Sequence, residues 1–287
     1  MSDQDRPIDG AATVTSETKP RVWSGKDTRK IKGPKPAEAP KSAAGETVEI
    51  IKTVVFALLI AFVLRVLLFQ PFTIPSASME PNLLEGDYII VSKFAYGYSK
   101  FSSGLPINLP LGDDRVMGRA PARGDIVVFK LPRDDSTDYI KRVIGLPGDQ
   151  VQMIDNVLHI NNQPVQNVTI GQSQVADIFG QRSATLARET LPEGKSFTIQ
   201  DFGPGGELDD TPIYEVPQGH YFMMGDNRDN SIDSRVGEMS GVGLVPDENL
   251  VGRAEIILFS WEPGASLLNP VSWFANLRPS RFFVMLD

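Results

Sequence analysis

"FQPFTIPSASMEPNLLEGD" (Phe69–Asp87) is where the chain changes character. Before it lies the apolar run "VEIIKTVVFALLIAFVLRVLLFQPF", beginning at Val48. After it come short runs of branched and aromatic residues between turn formers, the signature of strands. "YIIVSKF" (Tyr88–Phe94), "DIVVFKL" (Asp125–Leu131) and "YIKRVIG" (Tyr139–Gly145) are such runs, and "HYFMMGD" and "RAEIILFSW" follow later. "VQMIDNVLHINNQPV" reads as two strands around Asp155-Asn156, then a turn at Asn161-Asn162. No amphipathic helix of twelve or more residues is legible past Leu83. The fold class is therefore mainly β, behind a single N-terminal apolar helix.

The apolar run decides the organisation. Its uncharged stretch, Thr53–Leu64, is 12 residues, but Ile50–Phe69 gives 20 with Lys52 and Arg65 near the ends. Both side chains are long enough to reach headgroups, and about 20 residues cross a bilayer. A cleaved secretory signal is the alternative, with Ser76-Ala77-Ser78 as a cleavage-like site. The tail of about fifty residues in front of the run argues for an uncleaved anchor. Residues 1–52 carry 10 Lys+Arg and 8 Asp+Glu, whereas the remainder carries 18 and 28. Positive charge before the span, and Glu80, Glu85 and Asp87 after it, put the tail in the cytoplasm. The expected division is a disordered tail at 1–48, an anchor at 49–70 and an extracytoplasmic, mainly β domain at 71–287. An excursion of loops and hairpins is expected at 166–212. The C-terminal Trp273, Phe274, Phe282 and Phe283, with Arg278 and Arg281, suit either a membrane interface or packing on the domain.

Composition excludes several chemistries. There is no cysteine among 287 residues, so disulfides and thiolate sites are out. A formal charge of −8 argues against a nucleic-acid partner. The only histidines, His159 and His220, sit at strand-like positions, and neither histidine pairs nor thiolates offer a metal site. No cofactor is called for.

Ser76 and Ser78 stand between Pro75 and Pro81 with little histidine to activate them. A serine hydroxyl needs a neighbour to take its proton. Lysine is the remaining base compatible with serine. It must be dry, because a free lysine, at a pKa of about 10.4, is protonated at neutral pH. Lys141 is the best candidate, set against the plainer reading of an exposed lysine on a half-buried strand. On an extended strand it shares a face with Tyr139 and Val143, while Arg142 points the other way. A third stretch, "GDNRDNSIDSR" (225–235), has seven Asp, Asn or Arg among eleven residues. It reads as a solvated loop or as a hydrogen-bonded turn supporting a site.

Together "PSASMEPNLLEGD", "RGDIVVFKLP", "DYIKRVIGLPGD" and "GDNRDNSIDSR" resemble, in order, the boxes of the bacterial type I signal peptidases, or leader peptidases. The resemblance covers about 49–161 and 214–260 well, and 95–120 and 166–212 loosely. It implies the signal-peptidase-like β fold and a membrane-bound serine endopeptidase with Ser78 as nucleophile and Lys141 as general base. Ser76, with the Ser78 N–H, would form the oxyanion hole. Ser231 would hydrogen-bond the lysine, Asp233 and Arg235 would form a supporting salt bridge, and Asp226 and Arg228 would shape the same turn. Phe72, Ile74, Met79, Leu83, Val128, Tyr139 and Ile140 match positions that line the substrate pockets.

The implied partners are membrane lipid and the signal peptides of secreted preproteins, cut after Ala-x-Ala sites, with the secretion translocon nearby. The implied location is the bacterial inner membrane, single-pass, with the catalytic domain periplasmic. Ala77 stands where many relatives have Gly, and one span is visible where some have two. A self-cleaving repressor-type peptidase shares the dyad, but the anchor and the lack of a DNA-binding segment oppose it. A non-catalytic binding module would have lost the serine or the lysine.

Overall fold

The computed structural model describes residues 43–102, 115–177, 180–262, 264 and 270–286. The expected disordered tail therefore lies, up to residue 42, outside the described residues, as does the side chain of Trp273. The chain divides into two units, Met1–Ile50 and Ile51–Asp287.

Helix α1 runs Ala43–Leu67. Within it Glu46–Leu67, 22 residues, is long and apolar enough to cross a membrane, and none of that window is buried in protein. At 1.5 Å per residue it spans about 33 Å, against a hydrocarbon core of about 30 Å. Nearly all of its apolar side chains are exposed, on every face of the helix. The helix stops before the expected end at residue 70. Phe69 and Gln70 already belong to strand β1 (Phe69–Thr73). Pro71 fits there because β1 is an edge strand, where a missing N–H breaks no ladder.

The remaining strands are β2 (Asp87–Ser92), β3 (Ile126–Lys130), β4 (Asp138–Gly145), β5 (Gln150–Ile154), β6 (Val157–Ile160), β7 (Gln163–Pro164), β8 (Gln166–Asp177), β9 (Gly180–Thr190) and β10 (Ser196–Asp201). They continue with β11 (Tyr214–Glu215), β12 (His220–Met224), β13 (Val245–Pro246), β14 (Leu250–Ser260) and β15 (Val284–Met285). A short helix α2 covers Pro270–Ala275. The main antiparallel sheet has the order β1-β2-β14-β3-β4-β12-β13, with β15 also on β14. A second sheet is ordered β11-β5-β6-β7 and a third β10-β9-β8.

Strand β3 shows why "IVVF" is apolar throughout. Ile126 and Val128 enter one buried cluster, with Ile74, Met79, Leu83 and Ile257. Val127 and Phe129 enter another on the opposite face, with Val143, Tyr221 and Met223. A strand covered on both sides loses the polar alternation of a half-exposed one. Asp155-Asn156 and Asn161-Asn162 all have positive φ, the conformation two-residue hairpin turns demand. The excursion holds the longest strand, β8, which forms an antiparallel hairpin with β9, and β10 pairs with β9.

Candidate active site

Ser78 sits in a 3-10 turn, Ala77–Met79, that follows the extended Ser76. Met79 and Leu83 plug this turn into the core, at 0% exposure each. A neighbouring segment clamps it from outside. Asn227 donates its backbone N–H to the Ser78 carbonyl at 3.1 Å and its side-chain amide to the Ala77 carbonyl at 3.0 Å. Gly225 packs against the same place. A Cβ there would lie 2.5 Å from the Ser78 carbonyl oxygen and 2.2 Å from Ser231 Oγ. The clamp therefore fits only around glycine.

Lys141 approaches from β4. Its Nζ donates to Ser78 Oγ at 2.7 Å and to the Ile140 carbonyl at 2.9 Å. The side chain is 3% exposed. Burial pushes its pKa down to about 8, and Arg235 adds to that, while Asp233 and Asp226 act in the opposite direction. Nζ also lies 5.5 Å from the centre of the Tyr139 ring. A lysine of lowered proton affinity, in hydrogen-bond reach of a hydroxyl, is a pair able to pass a proton. Ser76 Oγ stands 3.5 Å from Ser78 Oγ.

These groups open on a cleft of about 580 Å³. Pro75, Ser76 and Ser78 form one wall, Thr137–Lys141 the other, and Asp229–Ile232 with Leu208 and Val236 complete it. Strand β4 pairs with β3 along Asp138–Arg142, but with β12 only from Arg142 onward. Asp138–Lys141 therefore has, among the described residues, no strand on its cleft side.

Three ion pairs support the turn from behind. Asp233 receives Arg235 through two nitrogens at 2.9 Å each, and also the Gly225 N–H at 3.0 Å. Burial opposes its charge, yet Arg235 and these bonds hold the carboxyl below its ordinary range. Asp226 and Arg228, two residues apart in sequence, do not pair with each other. Asp226 takes a two-point contact from Arg142 at 2.8 and 2.7 Å, and Arg228 gives one to Glu189 at 2.7 and 2.6 Å. All four are buried.

Of the residues singled out in sequence, Ser76, Ser78, Tyr139, Ile140, Lys141 and Ser231 meet at the cleft. Ile74, Met79, Leu83 and Val128 do not border it. They form the buried cluster behind the serine turn, with Phe72 and Ile140 packed on its side. The expected Ser231–Lys141 hydrogen bond is absent. Lys141 spends its donors on Ser78 and Ile140, and Ser231 Oγ is buried without a partner. The histidines are elsewhere, bonded through Nδ1 to the Val157 and Gln218 carbonyls. Sequence reasoning missed the Asn227 clamp, the close approach at Gly225, and Glu189. The first two lie inside the polar stretch 225–235. Glu189 stands in a polar strand with nothing local to mark it.

The profile of the family described as "Signal peptidase, peptidase S26" matches residues 47–261. Relatives called Signal peptidase I from Rickettsia typhi and Rickettsia prowazekii are each 40% identical over 243 residues, covering 79% of this chain and 89% of theirs. A crystal structure of a signal peptidase I from Enterococcus faecalis is 27% identical and covers 47% of this chain and 97% of its own, with a TM-score of 0.27. With the profile and 40% identity both extending over most of its length, the chain belongs to the signal peptidase I family of serine endopeptidases.

Proposed function

We propose that this protein is a membrane-anchored endopeptidase that removes signal peptides after small-x-small sites, with Ser78 as nucleophile and Lys141 as general base. The observation that carries the reading is the 2.7 Å contact between Lys141 Nζ and Ser78 Oγ at the wall of an open cleft. With a pKa of about 8, roughly one Lys141 in ten is neutral at pH 7, about two hundred times the fraction of a free lysine.

The neutral amine takes the Ser78 proton as Oγ attacks the scissile carbonyl carbon. The oxyanion that forms is stabilised by the Ser76 hydroxyl and the Ser78 N–H. The Lys141 ammonium then gives its proton to the leaving amine, the C–N bond breaks, and the signal peptide stays as an ester on Ser78. A water, deprotonated by Lys141, cleaves that ester and restores the serine.

The unpaired edge at Asp138–Lys141 supports binding of the signal-peptide end as an added strand. Tyr139 and Ile140 flank that edge, and a shallow wall admits alanine more readily than a large side chain. Phe72, Ile74, Met79, Leu83 and Val128 act from beneath, fixing its depth. In this reading 1–48 lies on the cytoplasmic side, α1 up to Leu67 is the anchor, and the chain from Phe69 onward is the domain on the periplasmic side of the inner membrane. That puts the cleft at the lipid surface, near the translocon from which preproteins emerge.

The test is cleavage of an Ala-x-Ala preprotein by the solubilised enzyme and its Ser78→Ala variant. Processing at that site by the parent and none by the folded variant is expected. Equal processing by both would exclude Ser78 as the nucleophile.

A further inference from the structure

Lys93 is fully buried, yet the reaction has no use for it. Its Nζ donates to the Arg65 carbonyl at 2.9 Å and to the Val66 carbonyl at 3.3 Å. The Tyr98 hydroxyl donates to the Leu67 carbonyl at 2.6 Å, and the Lys93 N–H to the Leu68 carbonyl at 2.9 Å. Four consecutive carbonyls at the end of α1 are thus taken by one segment, 93–98. The last carbonyls of a helix have no intrahelical donor, and near hydrocarbon water is a poor substitute. An ammonium there also complements the negative end of the helix dipole. The Phe69 and Phe94 rings close the junction edge to face, 5.6 Å apart.

The segment that grips the helix is itself held. Arg115 donates to the carbonyls of Tyr96, Gly97, Asp247 and Leu250 at 2.8–2.9 Å. The Tyr96 hydroxyl donates to Asp125 at 2.9 Å. The Asp125 carbonyl in turn accepts from Val143, two residues beyond Lys141 on β4. On the other side β2, ending at Ser92, pairs with β1, which leads into the Ser78 turn. Both reacting groups therefore hang from strands tied to the same bracket.

We infer that the Lys93–Tyr98 segment is a rigid mount that fixes the depth of the Ser78–Lys141 cleft relative to α1, making Lys93 a positioning residue for membrane-embedded substrates. The inference rests on reading α1 as a membrane anchor and the cleft as a signal-peptide site. A signal peptide seated in the same bilayer presents its cleavage site at a height set by its own apolar segment. A free peptide carries no such constraint. Misplacing reacting atoms by about 1 Å can lower a rate on the order of 10²-fold.

The experiment compares the full-length enzyme in vesicles with its Lys93→Met and Tyr98→Phe variants on two substrates. One is a membrane-inserted preprotein with an Ala-x-Ala site, the other a short water-soluble peptide with the same site. Lys93→Met is expected to lower kcat/KM on the preprotein about tenfold or more while leaving the peptide within about twofold. Tyr98→Phe should change the same ratio in the same direction by about two- to fivefold, the worth of one hydrogen bond. A ratio equal to the parent's overturns the mount, whether both activities stand or both fall together. Because the chain has no cysteine, spin labels on cysteines introduced at the exposed Val63 and Met117 read the junction directly. A distance distribution that broadens in Lys93→Met supports the mount, and one equally narrow in parent and variant overturns it. A parent that cuts neither substrate overturns the peptidase reading alone, and the label distances still decide the mount.

Discussion

Lys141 and Lys93 are both sealed from solvent, and burial lowers both pKa values to about 8. Their neighbours differ. Lys141 meets a hydroxyl at the wall of an open cleft, and Lys93 meets two carbonyls at the end of a helix. Acidic groups, Asp233 and Asp226, work on Lys141, whereas Arg65 adds to the effect of burial on Lys93. Lowered proton affinity is thus a consequence of desolvation and does not mark a catalyst by itself. What separates the two is the partner atom. A hydroxyl has a proton to give, and a carbonyl has none.

The same substitution should therefore have opposite results at the two positions. Arginine cannot deprotonate in a protein but keeps its charge and its donors. Lys141→Arg should lower kcat/KM on a soluble peptide by about 10²–10⁴-fold, the range of a lost general base. Lys93→Arg should leave that activity within about twofold and keep most preprotein processing, because its task is only to donate to carbonyls. Steady-state kinetics on the two variants, with circular dichroism to establish folding, decide this. An active Lys141→Arg enzyme would remove the distinction and the base assignment together.

Ser231 is the next point of leverage. The residue borders the cleft, but its hydroxyl is buried and without a partner, although a buried polar group left unpaired is costly. Its oxygen is an acceptor held ready for the ammonium that the proposed proton transfer leaves on Lys141. Ser231→Ala should lower kcat about tenfold or more with KM little changed, the pattern of a bond made only in the transition state. An unchanged kcat would leave Ser231 as packing against Gly225.

The two regions were not equally legible in the sequence. Lys141 announced itself because a period of two placed it beside Tyr139 and Val143, and because two serines needed a base. Lys93, in "VSKFAYG", looks like any lysine after a strand. Its partners are backbone carbonyls 25 or more residues away, and carbonyls carry no sequence signal. The same reason hid Asn227, which clamps the serine turn through carbonyls. The strands of the main sheet are legible from branched residues, but the start of β1 is not, because Phe69 continues the apolar run without a break. The pocket-lining assignment of Ile74, Met79, Leu83 and Val128 came from resemblance. Periodicity could not say which side of an apolar layer faces the cleft.

The smallest expected effect tests whether the carboxylates that distinguish Lys141 from Lys93 tune its proton. Asp233 raises the Lys141 pKa by favouring the ammonium, and Arg235 lowers it. Asp233→Asn keeps hydrogen-bonding capacity but removes the negative charge, leaving the Arg235 guanidinium unopposed. Both changes disfavour the ammonium, so the Lys141 pKa should fall below about 8. In the proposed mechanism the active form is the neutral amine, so kcat/KM is expected to rise with pH in the parent and level off above that value. In the variant this rising limb should move to lower pH, by less than about one unit given partial screening by the remaining Asp226. Splitting a buried ion pair also destabilises the fold by about 3–5 kcal/mol, less where the amide keeps some of the bonds. Activity at one pH therefore confounds the two effects, and the informative quantity is the profile normalised to its own plateau. A limb that stays in place would mean that Asp233 does not tune Lys141 and serves only to hold Arg235 and the Gly225 turn.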